Sequence, residues 1–504
     1  AQREAREAFG DEKVLLEKYF TLVKHIEFQI MADEYGDTVH LFERDCSVQR
    51  RHQKVIEETP SVFVDEDLRQ RMGESSVAIA RAINYRNAGT VEWIVDEHKN
   101  YYFLEVNTRL QVEHPITEAI TGLDLVEIQI KVASGISLKQ LGLTQSAITS
   151  AGHAIECRIY AEDPTNNFAP AVGKILDWKP VNMDSIRYDS GITSGSDISI
   201  YYDPMVAKIT AFGKNRDEAI MKMTRALQHN VTIGIRTNTN FLLQVLENPT
   251  FLSGHYQTNL IGTQLLADTR AAFDALPLQG LCDMATVAVM FDWHLRNVQR
   301  HLWRNIPSGF RNVQYRDQHV TVSYLDEPIT IAYRVLQEKP VPTFTVTIDG
   351  KHTTEATLCM TSEARHTPGV STATLSCIVN KLRREYRCCF DQAKSKIHVH
   401  THAFGVRTFV KAPRLRRPQA AQKLQGALYK AEMAGKIVKI CVAAGDAVKK
   451  GDTLLVMESM KMETKISCFA DATVSEVYIT EGTVVQEGQN MLLMKDLKQP
   501  AKQS

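Results

Sequence analysis

The chain has 504 residues, 44% of them hydrophobic, with 59 lysines and arginines set against 59 aspartates and glutamates. That length predicts about three domains on a prior of ~150 residues each. The balanced charge excludes a global field for nucleic acid or an anionic membrane, and no apolar run reaches the ~20 residues that a membrane span needs.

Residues 1–10 (AQREAREAFG) read as a helix already under way without a starting methionine, which predicts a longer natural polypeptide. From residue 1 to about 270 strand-like and helical patterns alternate. Within this stretch the run 43–58 (ERDCSVQRRHQKVIEE) is rich in charge. Its interleaved acids and lack of aromatic residues argue against a nucleic-acid patch.

Val91–Val95 and Tyr101–Leu104 read as the arms of a hairpin around Asp96–Asn100, which would carry Glu92 towards Glu105 and Asn107. If the chain stays extended, Glu105, Asn107, Arg109, Gln111 and Glu113 share one face. Hard oxygen ligands of this kind suit a magnesium ion held between protein and nucleotide phosphates. Alternating polar residues can equally be the wet face of an amphipathic strand.

Residues 281–303 have helical periodicity, and 311–411 form a succession of short alternating strands such as Val320–Tyr324 and Thr343–Thr347, with turns such as Asp349-Gly350. The pattern predicts a helix beside an antiparallel barrel or sandwich. His398, His400 and His402 alternate along one strand there; residues on one face of one strand rarely converge on a single ion, so a solvent-facing strand is expected. Residues 412–424 (APRLRRPQAAQKL) hold two prolines, four basic residues and no acid, which fits a mobile tether.

Beyond the tether, residues 435–459 and 472–496 match at a constant offset: Gly445 falls on Gly482, Gly451 on Gly488, and Leu454-Leu455 on Met491-Leu492. Two copies of a β-rich half-motif predict a small barrel with pseudo-two-fold symmetry. The join between copies reads Met460-Lys461-Met462, on an expected hairpin tip. The nine scattered cysteines form no CxxC pair, which suggests reduced thiols in a cytosol- or matrix-like compartment. Adjacent Cys388 and Cys389 would point to opposite faces of a strand.

Three parts of the chain resemble biotin-dependent carboxylases. Residues 425–498, with Met460-Lys461-Met462, resemble the biotin carboxyl carrier domain. ERDCSVQRRHQKVIEE, FLEVNTRLQVEHPITE, GHAIECRIYAEDP, NFAPAVGKI and YYDPMVAKI resemble, in order, the C-terminal portion of an ATP-grasp biotin carboxylase, taken as residues 1–270. Residues 271–411 resemble the helix-plus-barrel domain by which acyl-CoA carboxylase α subunits meet a separate carboxyltransferase, and Trp303–Asn312 resembles its hook-type connection. The fold class implied is multidomain α+β.

The resemblance implies the following roles. Lys461 carries covalent biotin, attached by a biotin protein ligase. Glu92, Glu105 and Asn107 hold magnesium or manganese bridged to ATP. Glu17 and Lys18 sit at the adenine, His25 near the ribose, and Gln49 and His52 near the ribose and phosphates. Lys54, Arg109, Gln111 and the backbone at Val112 surround bicarbonate. Glu113 is the general base that deprotonates bicarbonate for attack on the γ-phosphate, and Arg158 stabilises the enolate-like form of biotin. The family's glycine-rich lid would lie before residue 1, since no glycine-rich phosphate loop occurs in the chain. The resemblance further implies a carboxyltransferase β subunit as partner, a large α/β hetero-oligomer and the mitochondrial matrix. The compact middle region points to 3-methylcrotonyl-CoA, a step of leucine breakdown, with propionyl-CoA or a broader acyl-CoA range as the alternative. Rival readings are a non-catalytic carrier and assembly subunit, which the intact Glu92–Arg158 set opposes, and a lipoyl carrier, which the methionines beside Lys461 oppose.

Overall fold

In the computed structural model the described residues are 2, 5, 6, 10–16, 18–265, 276–302, 317–337, 340–412, 427–460 and 462–495. Glu17, Lys461, the segment 303–316 and nearly all of the expected tether therefore lie outside them. The chain forms two compact units, one of residues 1–157, 210–223 and 245–267, the other of 158–209, 224–244 and 268–504.

The first unit is built on antiparallel strands β1 (Val23–Ala32), β2 (Thr38–Arg50), β3 (Gln53–Thr59), β4 (Asn87–Asp96) and β5 (Tyr101–Asn107), with helix α1 (Glu66–Ala82) between β3 and β4 and helix α2 (His114–Thr121) after β5. The start of β6 (His153–Tyr160) pairs with β3, so the order is β6-β3-β2-β1-β4-β5. Apolar residues of β1 and β4 (Ile26, Phe28, Ile30, Val91, Trp93) pack against Leu68 and Met72 of α1. Burying such side chains is worth ~2 kcal/mol each. The opposite face is polar, and it carries the chemistry. The β2–β3 hairpin turns through Arg51 and His52, both at positive φ (50° and 64°), the conformation that matches the twist of a two-residue hairpin.

In the second unit, helix α3 (Leu278–Val298) is buried on every side over much of its length. It fills a closed barrel of eight strands: β7 (Gln318–Tyr324), β8 (Glu327–Gln337), β9 (Thr343–Ile348), β10 (His352–Thr367), β11 (Val370–Val379), β12 (Leu382–Asp391), β13 (Lys396–Thr401) and β14 (Gly405–Lys411). Closure comes from Val322 opposite Lys411 and Ser323 opposite Val410. Helix and barrel share one apolar core, and Asp283 of α3 accepts hydrogen bonds from Asn380 (2.6 Å) and Arg384 (3.2 Å). Full enclosure accounts for a helix buried all round, where a helix lying beside a barrel would show a buried stripe.

The C-terminal domain has strands β15 (Ala427–Lys430), β16 (Gly435–Ile440), β17 (Ala447–Val448), β18 (Thr453–Ser459), β19 (Met462–Ser467), β20 (Ala472–Val477), β21 (Val484–Val485) and β22 (Asn490–Lys495). They form two four-stranded sheets, β15-β22-β20-β17 and β19-β18-β16-β21. The internal repeat is carried down to single hydrogen bonds. Gly445 N–H donates to Val474 O (2.8 Å) and its mate Gly482 to Ile437 O (2.7 Å); Gly451 donates to Cys468 O and its mate Gly488 to Ala431 O, both at 2.7 Å. All four glycines have positive φ, where a side chain would be strained. Cys388 and Cys389 do face opposite sides, one in the barrel core and one in a cluster with Val231 and Ile233, and the cysteines are free thiols.

One expectation fails. β13 is not solvent-facing: His398 and His400 are buried, and only His402 is exposed. The reason is that segment 227–240 of the same unit covers this face; His229 stacks on His402 at 3.5 Å, and Asn240 lies beside Gly405. Alternation in sequence records a face but not what packs on it.

Candidate active site

Strand register assembles a row of charged side chains across the polar face of the first unit. Arg44 of β2 lies opposite Glu27 of β1, Glu27 opposite Glu92 of β4, and Glu92 opposite Glu105 of β5. Thr90 is opposite Asn107 in the same pair of strands. The β4–β5 hairpin thus places Glu92 beside Glu105 and Asn107 as the sequence predicted.

Extension beyond Asn107 does not hold. β5 ends there, Gln111 and Val112 belong to a turn, and Glu113 is the N-cap residue of α2. The turn brings Gln111 and Glu113 to the row; Arg109, on the exposed bend, donates to Leu110 O (3.3 Å) and lines a separate cavity of about 340 Å³ with Tyr85 and Gln129. The structure does not bring Arg109 to Glu113.

Lys54 of β3 is the hub. Its Nζ donates to Glu27 Oε2 (2.5 Å), Glu113 Oε1 (2.6 Å) and Glu92 Oε1 (3.0 Å). Burial works against the ammonium, yet the acidic groups around it, including Glu27, Glu113 and Glu92, outweigh that penalty and raise its pKa. Burial would likewise raise the Glu92 carboxyl, but His25 and Lys54 hold it well below the usual carboxylate range. His25 Nε2 is 2.8 Å from Glu92 Oε2, and Gln49 Nε2 lies 3.4 Å from His25 Nδ1. Glu113 is only 2% exposed.

Beneath the hub lies Arg44, fully buried, to which the sequence assigned no role. Its guanidinium donates to Glu27 Oε1 (2.5 Å), Gln29 Oε1 and Gln111 Oε1 (both 2.8 Å), Thr117 Oγ1 (3.0 Å) and Thr90 Oγ1 (3.2 Å). It fixes Gln111, whose Nε2 donates to Glu92 Oε1 at 2.7 Å. The available signal was Glu27 and Gln29 alternating within the apolar strand HIEFQI, since buried carboxylates of this kind need a partner.

Glu105, Asn107 and Glu92 make a compact oxygen-rich group: Asn107 Nδ2 is 3.0 Å from Glu92 Oε1 and 3.1 Å from Glu105 Oε1. Such donors fit magnesium or manganese, with the amide turned to present its oxygen. His25, Glu27 and Glu92 also bring possible ligand atoms within 4.8 Å of one another, but Lys54 already bonds two of those carboxylates. His52 is exposed at its hairpin tip, and Lys18 lies 4.8 Å from the Phe20 ring centroid. Arg158 belongs to the second unit, where its carbonyl accepts from Asn238 Nδ2 at 2.9 Å.

Comparison with known proteins agrees with this architecture. Residues 1–141 match the ATP-binding domain of the carbamoyl-phosphate synthase L chain, 156–263 the biotin carboxylase C-terminal domain, and 428–494 the biotin-requiring enzyme family. Fold and site together define an ATP-grasp biotin carboxylase joined to a biotinyl-type carrier.

The chain belongs to the family of biotin-containing α subunits of acyl-CoA carboxylases. It is 35% identical to the mitochondrial methylcrotonoyl-CoA carboxylase subunit alpha of Mus musculus, covering 96% of this chain and 66% of that protein. It is 34% identical to the Arabidopsis thaliana subunit of the same name, over 96% and 68% respectively. Against the propionyl-CoA carboxylase alpha chain of Sus scrofa the identity is 35%, over 96% and 65%. The chain thus spans about two thirds of the length of these relatives. Among solved structures, the Hydrogenobacter thermophilus 2-oxoglutarate carboxylase biotin carboxylase domain, in complex with MgADP and bicarbonate, is 41% identical with a TM-score of 0.50, over 52% of this chain and 57% of that one. Rhizobium etli pyruvate carboxylase with the activator acetyl coenzyme A is 40% identical with a TM-score of 0.52, over 59% and 26%.

Proposed function

We propose that the full-length protein uses ATP and bicarbonate to carboxylate biotin on its own Lys461, and that a separate carboxyltransferase β subunit passes the carboxyl group to an acyl-CoA. The observation that carries this reading is the partly buried Lys54 ammonium 2.6 Å from Glu113 and bonded to Glu27 and Glu92. A carboxylate base beside a fixed cation suits deprotonation of a small bound anion.

In this reading Glu113 takes the proton of bicarbonate while Lys54 offsets its charge. Gln111 and the Val112 backbone complete the bicarbonate pocket. Arg109 closes on it only after its side chain leaves the position described above. Glu92, Glu105 and Asn107 would hold a divalent cation, which would screen the charge of the ATP phosphates. His25, Gln49, His52, Lys18 and Glu17 line the nucleotide, and Arg158 offsets negative charge on the ureido oxygen. Biotin, when attached, supplies the carrier nitrogen. The helix-filled barrel serves as the platform for the β subunit within a large α/β assembly, and a biotin protein ligase attaches the cofactor.

Relatives carrying the methylcrotonoyl and propionyl names match equally well. We take 3-methylcrotonyl-CoA as the substrate on the compact middle region, and the mitochondrial names of the relatives support a matrix location. The test is bicarbonate-dependent ATP cleavage by the full-length enzyme. Glu113→Gln and Arg158→Ala should each lower it by about 100-fold or more; wild-type rates in both would dismiss the site. Capture of the complex through biotin, then assay with 3-methylcrotonyl-CoA and propionyl-CoA, decides the substrate.

A further inference from the structure

The tip of the carrier's β18–β19 hairpin is covered. Ser459 and Met460 are 1% and 2% exposed, although they stand where a hairpin turns. Met460 takes a left-handed conformation (φ 48°), and its N–H donates to the carbonyl of Ile200 at 3.0 Å. Ile200 belongs to the loop after the short strand Asp197–Ile198, in the same compact unit.

Two further contacts involve the same part of the chain. Ala169 packs against the carrier's own apolar core. A cavity of about 650 Å³ has Glu432 and Glu487 of the carrier on its wall, together with Arg236, Lys394, Lys396 and Arg407, which outnumber Asp163 and Asp326 on the non-carrier side. Acids on the carrier thus share a cavity with a net cationic wall, and such complementarity orients a docking partner more than it tightens it.

We propose that Ala169 and the Ser199–Tyr202 loop form a seat for this chain's own carrier domain, with the Ile200 carbonyl holding the hairpin tip next to Lys461. The seat gives the carrier a preferred position from which it must be released before the tip can reach another subunit. Its place in a catalytic cycle rests on the biotin reading above; the contact itself does not.

A backbone N–H···O bond sets the flanking Cα atoms ~5–6 Å apart, within the range a disulfide spans. The test uses the full chain carrying Ile200→Cys with Met460→Cys, and a comparison pair of Ile200→Cys with Lys450→Cys. Lys450 is the repeat mate of Glu487 and so lies across the pseudo-dyad from the cavity. Under mild oxidation, the linked peptide measured by mass spectrometry should form about tenfold faster or more in the first pair than in the second. Ala169→Glu added to the first pair should slow it several-fold. Equal rates in the two pairs, or no effect of Ala169→Glu, would overturn the seat. A streptavidin blot of the unmodified chain tests the biotin reading separately, because the cross-linking rates do not depend on biotin.

Discussion

Lys54 and Arg44 sit on adjacent strands and share Glu27, one bonding each of its oxygens. Burial would raise the Glu27 carboxyl, but Arg44 and Lys54 overcome this and leave its pKa lowered. Removing Arg44 would strip one cation from a dry site and leave Gln29, Gln111 and Glu27 short of donors. Breaking a buried pair by deleting one partner costs about 3–5 kcal/mol. Arg44→Ala should therefore lower the unfolding free energy read from urea denaturation of the full-length protein by about that amount, whereas a surface substitution such as Arg71→Ala should change it little. Glu27 was visible in the sequence as a polar residue within an apolar strand, and Arg44 as one charge in the charge-rich run 43–58. Their pairing depends on register, which a list of residues does not contain.

At the scale of elements, β13 shows what a pattern omits. Alternating histidines read as a wet face, yet burial pushes His398 down to about 4 and His400 to about 3. The folded state thus keeps both imidazoles neutral, while the unfolded chain protonates them near pH 6.5. Stability from this strand is complete above about pH 6.5 and falls as the pH drops from there towards 4, because the unfolded state then binds protons the folded state refuses. For His398 the loss is about 3 kcal/mol across that range. His398→Gln should flatten the acid limb of a pH series of thermal melts; an unchanged slope between pH 6.5 and 4 would contradict the assignment. The β5 segment makes a similar point. Hairpin chemistry at Asp96–Asn100 was legible, and so was the meeting of Glu92 with Glu105. The end of β5 at Asn107 was not, because what turns Gln111 and Glu113 inwards is the α2 helix and the buried Arg44–Gln111 bond.

For the whole molecule, the internal repeat around residues 460–462 is the feature from which the function reading grows. If Lys461 is the point of attachment, Lys461→Ala should abolish the streptavidin signal of the mature protein, and with it acyl-CoA carboxylation. A signal that persists would place the biotin elsewhere. The sequence alone determined the ATP-grasp and carrier identities, the repeat and the barrel strands. Each of these is written in local order: motifs, turn glycines and alternation. Only the tertiary structure decided that α3 fills the barrel, that β13 is covered, that Arg44 supports the Lys54 hub, that Arg109 stands apart from it, and that Met460 meets Ile200. Those outcomes depend on which surfaces exclude water together, and that is settled between segments far apart in the chain.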